Sequence, residues 1–225
     1  MVARSGDGSA QPAVPDAGTS AWYHREGPLP GGRWRMRCLF SDGRPDGTVV
    51  EDPGDTAGLF EIWRADLDDE GRPRVRVNPD AVPGAPAMWF VALPETNVPR
   101  PAMTLVGFDQ RAIPAGSVIN DAVFFSLPVS NDDQVGAIRW WTAEAIVDQV
   151  FVGDRWRRRH VGSALIYAAS AYHQLHGWPG RLHSDGRRTT MGQQLVAGLR
   201  HPDRIAPLTN LMPSMDPDDR SARPS

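Results

Sequence analysis

The chain has 225 residues, enough for one ordinary domain with a real core or two very small ones. Hydrophobic residues make up 40% and charged residues 23%, with a formal net charge of −3, so the molecule is not a polycation of the kind that coats nucleic acid. Cys38 is the single cysteine, which excludes an internal disulfide and fits a reducing cytosol.

Residues 1–30 are rich in Gly, Ala, Ser, Pro and Asp without periodicity, and are expected to be mostly disordered. No continuous apolar core follows the early Arg4, so no secretory signal is expected, and no apolar run approaches the length of a bilayer span. A cytoplasmic protein with no membrane association is the expectation. A strand-rich half follows. Leu59–Arg64, Arg74–Val77, Met88–Leu93, Met103–Phe108 and Val118–Leu127 are short apolar or alternating runs bounded by Pro, Gly, Asp or Asn.

Gly136–Trp141 and Ile146–Val152 flank a four-residue connection and predict a hairpin. With Trp141 opposite Ile146, Trp140 faces Val147 and Arg139 faces Asp148, an opposite-charge cross-strand pair. Ser163–His176 reads as a helix, with Leu165, Ala168, Ala169, Tyr172, Leu175 and His176 on one face and Gly177 at the C-terminal cap. Arg181–Ser184 predicts a short strand, and a second helix runs from a Thr189 or Thr190 N-cap to about Leu199. Strand, helix and strand in that order imply a crossover and hence a partly parallel, mixed sheet. The tail, residues 201–225, is again proline-rich and charged, and is expected to be disordered.

Asp148 to Leu165 (DQVFVGDRWRRRHVGSAL) carries the strongest functional signal: an apolar strand, an arginine-rich turn, then a helix start. Helix N-termini present orphan N–H donors and partial positive charge, so this point suits a phosphate-bearing ligand. Arginine can add charge-assisted bonds to phosphate, although all 24 basic residues here are arginine and codon usage accounts for that bias. A solvated basic turn, or a nucleic-acid contact through phosphate neutralisation, is the blander reading of the same residues.

Val150–Leu165 resembles the acetyl-CoA-binding signature of the GNAT superfamily of N-acetyltransferases. The Arg/Gln-x-x-Gly-x-Gly/Ala element of that signature reads here Arg157-Arg158-Arg159-His160-Val161-Gly162, then Ser163, with His160 in place of the usual first glycine. The resemblance covers about residues 135–199. It implies a GNAT-like α/β domain over residues 31–200: a mixed, largely antiparallel sheet with flanking helices and a strand–turn–helix coenzyme site. Residues 31–85 would be an atypical or added element, because the family's usual helix pair after its first strand is not evident. It implies acetyl-CoA as cosubstrate. Amides from Arg159, His160, Val161, Gly162 and Ser163 would meet the pyrophosphate, Arg157, Arg158 and Arg159 would reinforce it, and the main chain of Val150, Phe151 and Val152 would pair with the pantetheine arm.

The implied activity is transfer of an acetyl or other acyl group to a primary amine on a small molecule or peptide. The alternative is a degenerate module that binds CoA or a partner without turnover. Transfer needs a proton acceptor, for which Asp148 and Glu144 are candidates. Asp148 reads equally as the partner of Arg139, and a carboxylate so paired is a poor base. Gln194 stands where many family members place a general-acid tyrosine, leaving Tyr167, Tyr172 or solvent for that role. No metal site is expected: His173 and His176 lie three apart on one helix without a completing ligand, and are read, with His183, as helix surface or helix end. Trp140, Trp141 and Trp156 are candidates for an acceptor pocket or for sheet packing.

Overall fold

Residues facing inward at alternate positions of successive strands build two five-stranded sheets, and a single helix fills the space between them. The computed structural model describes residues 20–40, 43–109, 111, 113–197 and 205–211. The first sheet contains β1 (Ala21–Leu29), β2 (Arg33–Phe40), β3 (Val49–Val50), β4 (Glu61–Leu67) and β5 (Pro73–Val77), in the order β3–β1–β2–β4–β5. Its inner face presents Tyr23, Met36, Cys38, Trp63, Ala65 and Val75, all buried. Its outer face carries the register row His24, Arg37, Arg64, Arg76, where Glu61 bridges Arg37 and Arg64.

The second sheet contains β6 (Trp89–Glu95), β7 (Ala102–Phe108), β8 (Val118–Asn120), β9 (Gln134–Trp141) and β10 (Ile146–Val152), in the order β10–β9–β7–β6–β8. Helix α1 (Asp121–Phe124) follows β8, α2 (Val161–Leu175) follows β10, and α3 (Thr190–Ala197) lies between β11 (Arg187–Arg188) and β12 (Asn210–Leu211). Most pairings are antiparallel. β1–β3, β6–β8 and β11–β12 are parallel, which makes this a mixed α/β fold with antiparallel-dominant sheets and helical cover.

Helix α2 packs on β2, β4 and β5 on one side and on β7, β9 and β10 on the other. A helix covered all round must be apolar or small all round. Val161, Ala164, Leu165, Ala168, Ala169 and Ala171 are accordingly at most 2% exposed. Leu165 has room because Gly107 and Gly136 oppose each other beneath it; a Cβ on Gly136 would lie 3.0 Å from Leu165 Cδ1 and 2.5 Å from the Phe151 carbonyl oxygen.

Several sequence expectations change. Residues 21–29, read as part of a disordered leader, form β1, because Ala21, Trp22 and Tyr23 have core positions that the Gly/Ser/Pro composition around them conceals; residues 1–19 lie outside the described residues. Residues 31–85 supply β2 to β5 and one side of the cover over α2. The Val118–Leu127 strand stops at Asn120, whose side chain accepts from Val123 N at 2.9 Å and caps α1 instead. Arg181–Ser184 makes two isolated parallel bridges, His183 with Ile146 and Ser184 with Ile205, rather than a strand. In the tail, β12 pairs with β11 and Ile205 bridges Ser184, held by Arg188, which donates to the Ala206 carbonyl at 2.8 Å; residues 201–204 and 212–225 lie outside the described residues.

The second helix begins as read, with Thr189 Oγ1 accepting from Gly192 N at 3.1 Å; the Gly198–Leu199 pair beyond it lies outside the described residues. His173 is not helix surface. It is fully buried.

Candidate functional site

β10 is the edge strand of its sheet, and its outer edge is occupied only at its start. There Val147 N donates to the His183 carbonyl and His183 N to the Ala145 carbonyl, each at 2.9 Å. Beyond that bridge the 184–188 segment turns away to pair with the 205–211 segment. Among the described residues, no backbone partner meets the outer edge of β10 from Gln149 to Val152. The two parallel segments thus separate toward the C-terminal end of β10, where Val150 and Val152 are half-buried and Phe151 is 50% exposed.

The chain then makes a short turn, Asp154–Trp156, and enters α2 through residues that ordinary side chains avoid. Arg158 and His160 both have left-handed backbones, at φ 60° and 54°. His160 is the N-cap of α2, and its side chain caps nothing. No acidic residue occupies the first turn of the helix. Four of the five residues 155–159 are arginines; among the described residues, Arg157 pairs with Asp154 at 2.7 Å and Arg155 donates to the Asp132 carbonyl at 2.8 Å. The guanidinium groups of Arg155 and Arg159 lie over the ring of Trp156, 5.3 and 5.1 Å from its centre. Arg158, Arg159 and His160 are exposed, while Val161, Gly162 and Ser163 are buried at the helix start. Leu195 of α3 closes over Gly162, where a Cβ would meet its Cδ1 at 3.0 Å.

This arrangement runs against the helix dipole, which favours anions at the N-terminus and disfavours cations there. Orphan amides, a left-handed entry and a surplus of guanidinium groups are satisfied together by a multivalent anion. The expected coenzyme residues Val150, Phe151, Val152, Arg157, Arg158, Arg159, His160, Val161, Gly162 and Ser163 all fall on this one strand–turn–helix unit.

Of the two expected carboxylates, Asp148 lies on the same strand and Glu144 does not, and both are paired with arginines. Glu144 is in the hairpin turn at the other end of β10, paired with Arg100 at 3.0 Å. Asp148 sits in a bulge, so that Arg139 is registered with Gln149; even so, Asp148 Oδ2 takes Arg139 Nη1 at 2.5 Å. Glu95, on β6, grips the same guanidinium through both oxygens, at 2.7 and 2.9 Å. The Arg139 hydrogen bonds hold the Glu95 carboxyl below the usual range. Arg139 also lies 4.2 Å and Arg100 4.8 Å from the ring centre of Trp141, which is on the outer face of the sheet. Trp140 is core. Gln194 is exposed, and Tyr172 is buried at the far end of α2, where burial pushes its phenol up to about 12.

The sequence pattern missed Glu95 and the position of His183. Glu95 ends an apolar strand as a lone acid, and His183 is a polar side chain inside the run RLHS; both were visible as exceptions to an apolar pattern. Among the described residues, no cluster of three or more His, Cys, Asp or Glu could hold a metal ion, and no helix is long and apolar enough to cross a membrane. No protein-family description, curated protein or solved structure matches the chain.

Proposed function

We propose that this chain is a GNAT-like acyltransferase that binds acetyl-CoA, or another acyl-CoA, along β10 and moves the acyl group to a primary amine of a small molecule or peptide. One observation carries the reading: an edge strand whose parallel neighbour leaves it at its start, so that the rest of the strand runs open toward an uncapped, arginine-surrounded helix start. An extended pantetheine arm can add to the open edge as a strand would, while its pyrophosphate meets the amides of residues 159–163. The antiparallel run β6–β7–β9–β10, then α2, the bridging segment at His183, and α3 also follow the order this family implies. His160 departs from the usual glycine in residue type yet has the left-handed backbone that glycine favours.

Thermal unfolding with and without acetyl-CoA tests it. Coenzyme at about 100 times its dissociation constant adds roughly 2.7 kcal/mol. For a chain of this size that raises the midpoint by roughly 5–10 °C. CoA lacking its 3′-phosphate is the comparison ligand. No shift with any of these ligands sinks the reading.

A second reading has its own observation. Both expected carboxylates are committed to arginines, which favours a module that holds CoA without turnover. Release of free thiol in the presence of an amine separates the two.

A further inference from the structure

We propose that His183 is the general base of this site, taking the proton from the acceptor ammonium at the point where β10 and its parallel neighbour separate; this rests on the coenzyme reading above. Residues paired across a β-bridge project to the same face of a sheet. The pairings His183–Ile146, Ile146–Trp141 and Trp141–Ala102 therefore set one row on the outer face of the second sheet. Glu95, paired with Ala102, extends this row at its far end, while Arg139 lies in the next row with Asp148 in the bulge beside it. His183 and the arginine turn lie at opposite ends of β10, roughly 20 Å apart at strand rise. With pyrophosphate at the turn and the arm extended along the open edge, the thioester arrives beside His183.

The chemistry of the ring is fixed by one contact. His183 Nδ1 lies 3.0 Å from the Arg181 carbonyl, which can only accept, so Nδ1 carries the hydrogen and Nε2 keeps its lone pair in the neutral ring. The side chain is exposed, and no protein group engages Nε2 among the described residues. The carboxylates nearby differ in this respect. Asp148 and Glu95 are tied to Arg139, Glu144 to Arg100, and Asp185 to Arg187.

The step balances without a further reactant. The ammonium gives one proton to Nε2, and the freed amine lone pair forms a C–N bond at the thioester carbonyl. Collapse of the tetrahedral adduct breaks the C–S bond. The thiolate takes the second proton shed by the new amide nitrogen, and the imidazolium returns its own to water. The products are the amide, free CoA thiol and one proton.

The test combines coenzyme binding and thiol release in the full chain, with spermidine, kanamycin and a tripeptide bearing a free α-amino group as acceptor probes. In His183→Asn the side-chain amide stands where Nδ1 was, so the bond to Arg181 is kept and the base is lost. The expected result is an unchanged unfolding midpoint and an unchanged acetyl-CoA shift, with kcat down at least about 100-fold and partly restored by added imidazole. His183→Gln is the second variant should the first fail to fold. The acid limb of kcat/KM, present in the wild type, disappears in the variant. The charged groups on the elements around the bridge are Asp148 on β10, Asp185 and Arg187 after it, Arg181 before it, and the Arg100–Glu144 pair at the hairpin end. An unchanged acetyl-CoA shift with full kcat in His183→Asn overturns the base assignment and leaves the coenzyme reading standing. Coenzyme binding with no thiol release from any probe overturns it in favour of binding without turnover. Absence of any acetyl-CoA shift in the wild type removes the coenzyme reading and the base with it.

Discussion

At its C-terminal end α2 closes on itself, whereas at its N-terminal end it is left open among cations. At the closed end Gly177 has a left-handed backbone, Gly177 N donates to the Gln174 carbonyl at 3.1 Å, and Trp178 N donates to the His173 carbonyl at 3.3 Å. That is the paired-bond termination in which glycine relieves the orphan carbonyls. His173 accepts from Trp140 Nε1 at 3.2 Å and faces the Pro179 carbonyl at 3.0 Å, while Trp178 packs against Trp140, Tyr172 and His176. At the open end the left-handed residues are Arg158 and His160, no side chain caps the helix, and the neighbours are cationic. One helix obeys the local rules at one end and breaks them at the other. Where a chain breaks them without internal compensation, function is the usual cause.

The largest test of this contrast is at the closed end. His173→Leu keeps the volume but orphans Trp140 Nε1 and the Pro179 carbonyl in the interior. Unpaired buried groups cost about 1–3 kcal/mol each, so the loss is expected to be about 3 kcal/mol in all. Chemical or thermal unfolding should show it, the midpoint falling by roughly 6–12 °C. The two ends are about 20 Å apart along the helix. The acetyl-CoA shift of the folded variant should therefore be unchanged, as expected for independent sites. A lost coenzyme shift would show that the ends are coupled and the contrast false.

Acid should expose the same asymmetry more gently. Burial is the main reason that the proton affinity of His173 is lowered from the ordinary value of 6.5, partly offset by its bond to the Pro179 carbonyl. The unfolded chain therefore takes the proton first. The stability His173 contributes is fully present above about pH 6.5 and is lost as pH falls through its lowered folded value. His24 and His176 are lowered in the same direction, also chiefly by burial. The wild-type midpoint should consequently fall on acidification below about 6.5, and the His173→Leu profile should be measurably flatter over that range. Parallel profiles would remove His173 from the account.

The same contrast explains what the sequence disclosed. The hairpin was legible because Trp141, Trp140 and Val147 are regular cross-strand partners; the bulge at Asp148 was not, because a register slip leaves composition and alternation nearly unchanged. The turn was legible because Arg157 to Gly162 is contiguous in the chain. The opening of β10 was not, since it depends on His183 meeting Ile146 across 37 positions and on Ser184 onward pairing instead with a segment beyond residue 204. The burial of His173 was hidden for a related reason. What closes that position is Trp140 on β9, 33 positions away, together with Trp178 and the Pro179 carbonyl beyond the end of the helix, none of which the helical pattern itself shows.

The smallest effect, and the most discriminating, is at the open end. A non-glycine residue in the left-handed region costs about 1–2 kcal/mol, part of which glycine returns through the greater entropy of its unfolded chain. His160→Gly is therefore expected to raise apo stability by about 0.5–1 kcal/mol, read as a small increase in the unfolding midpoint. Arg158→Gly should do the same and also remove one cation from the helix N-terminus, a further few tenths of a kcal/mol. The two variants part on adding acetyl-CoA. His160→Gly frees space at the helix entry without removing a guanidinium, so its coenzyme shift should equal or exceed that of the wild type. Arg158→Gly gives up a phosphate partner, so its shift should shrink although its apo form is the more stable. If both variants gain stability and both keep the full shift, the arginines are a solvated turn and the anion is held by the backbone alone. If both lose stability, the left-handed entry is supported by contacts of these side chains, and the open end of α2 is as self-sufficient as the closed one.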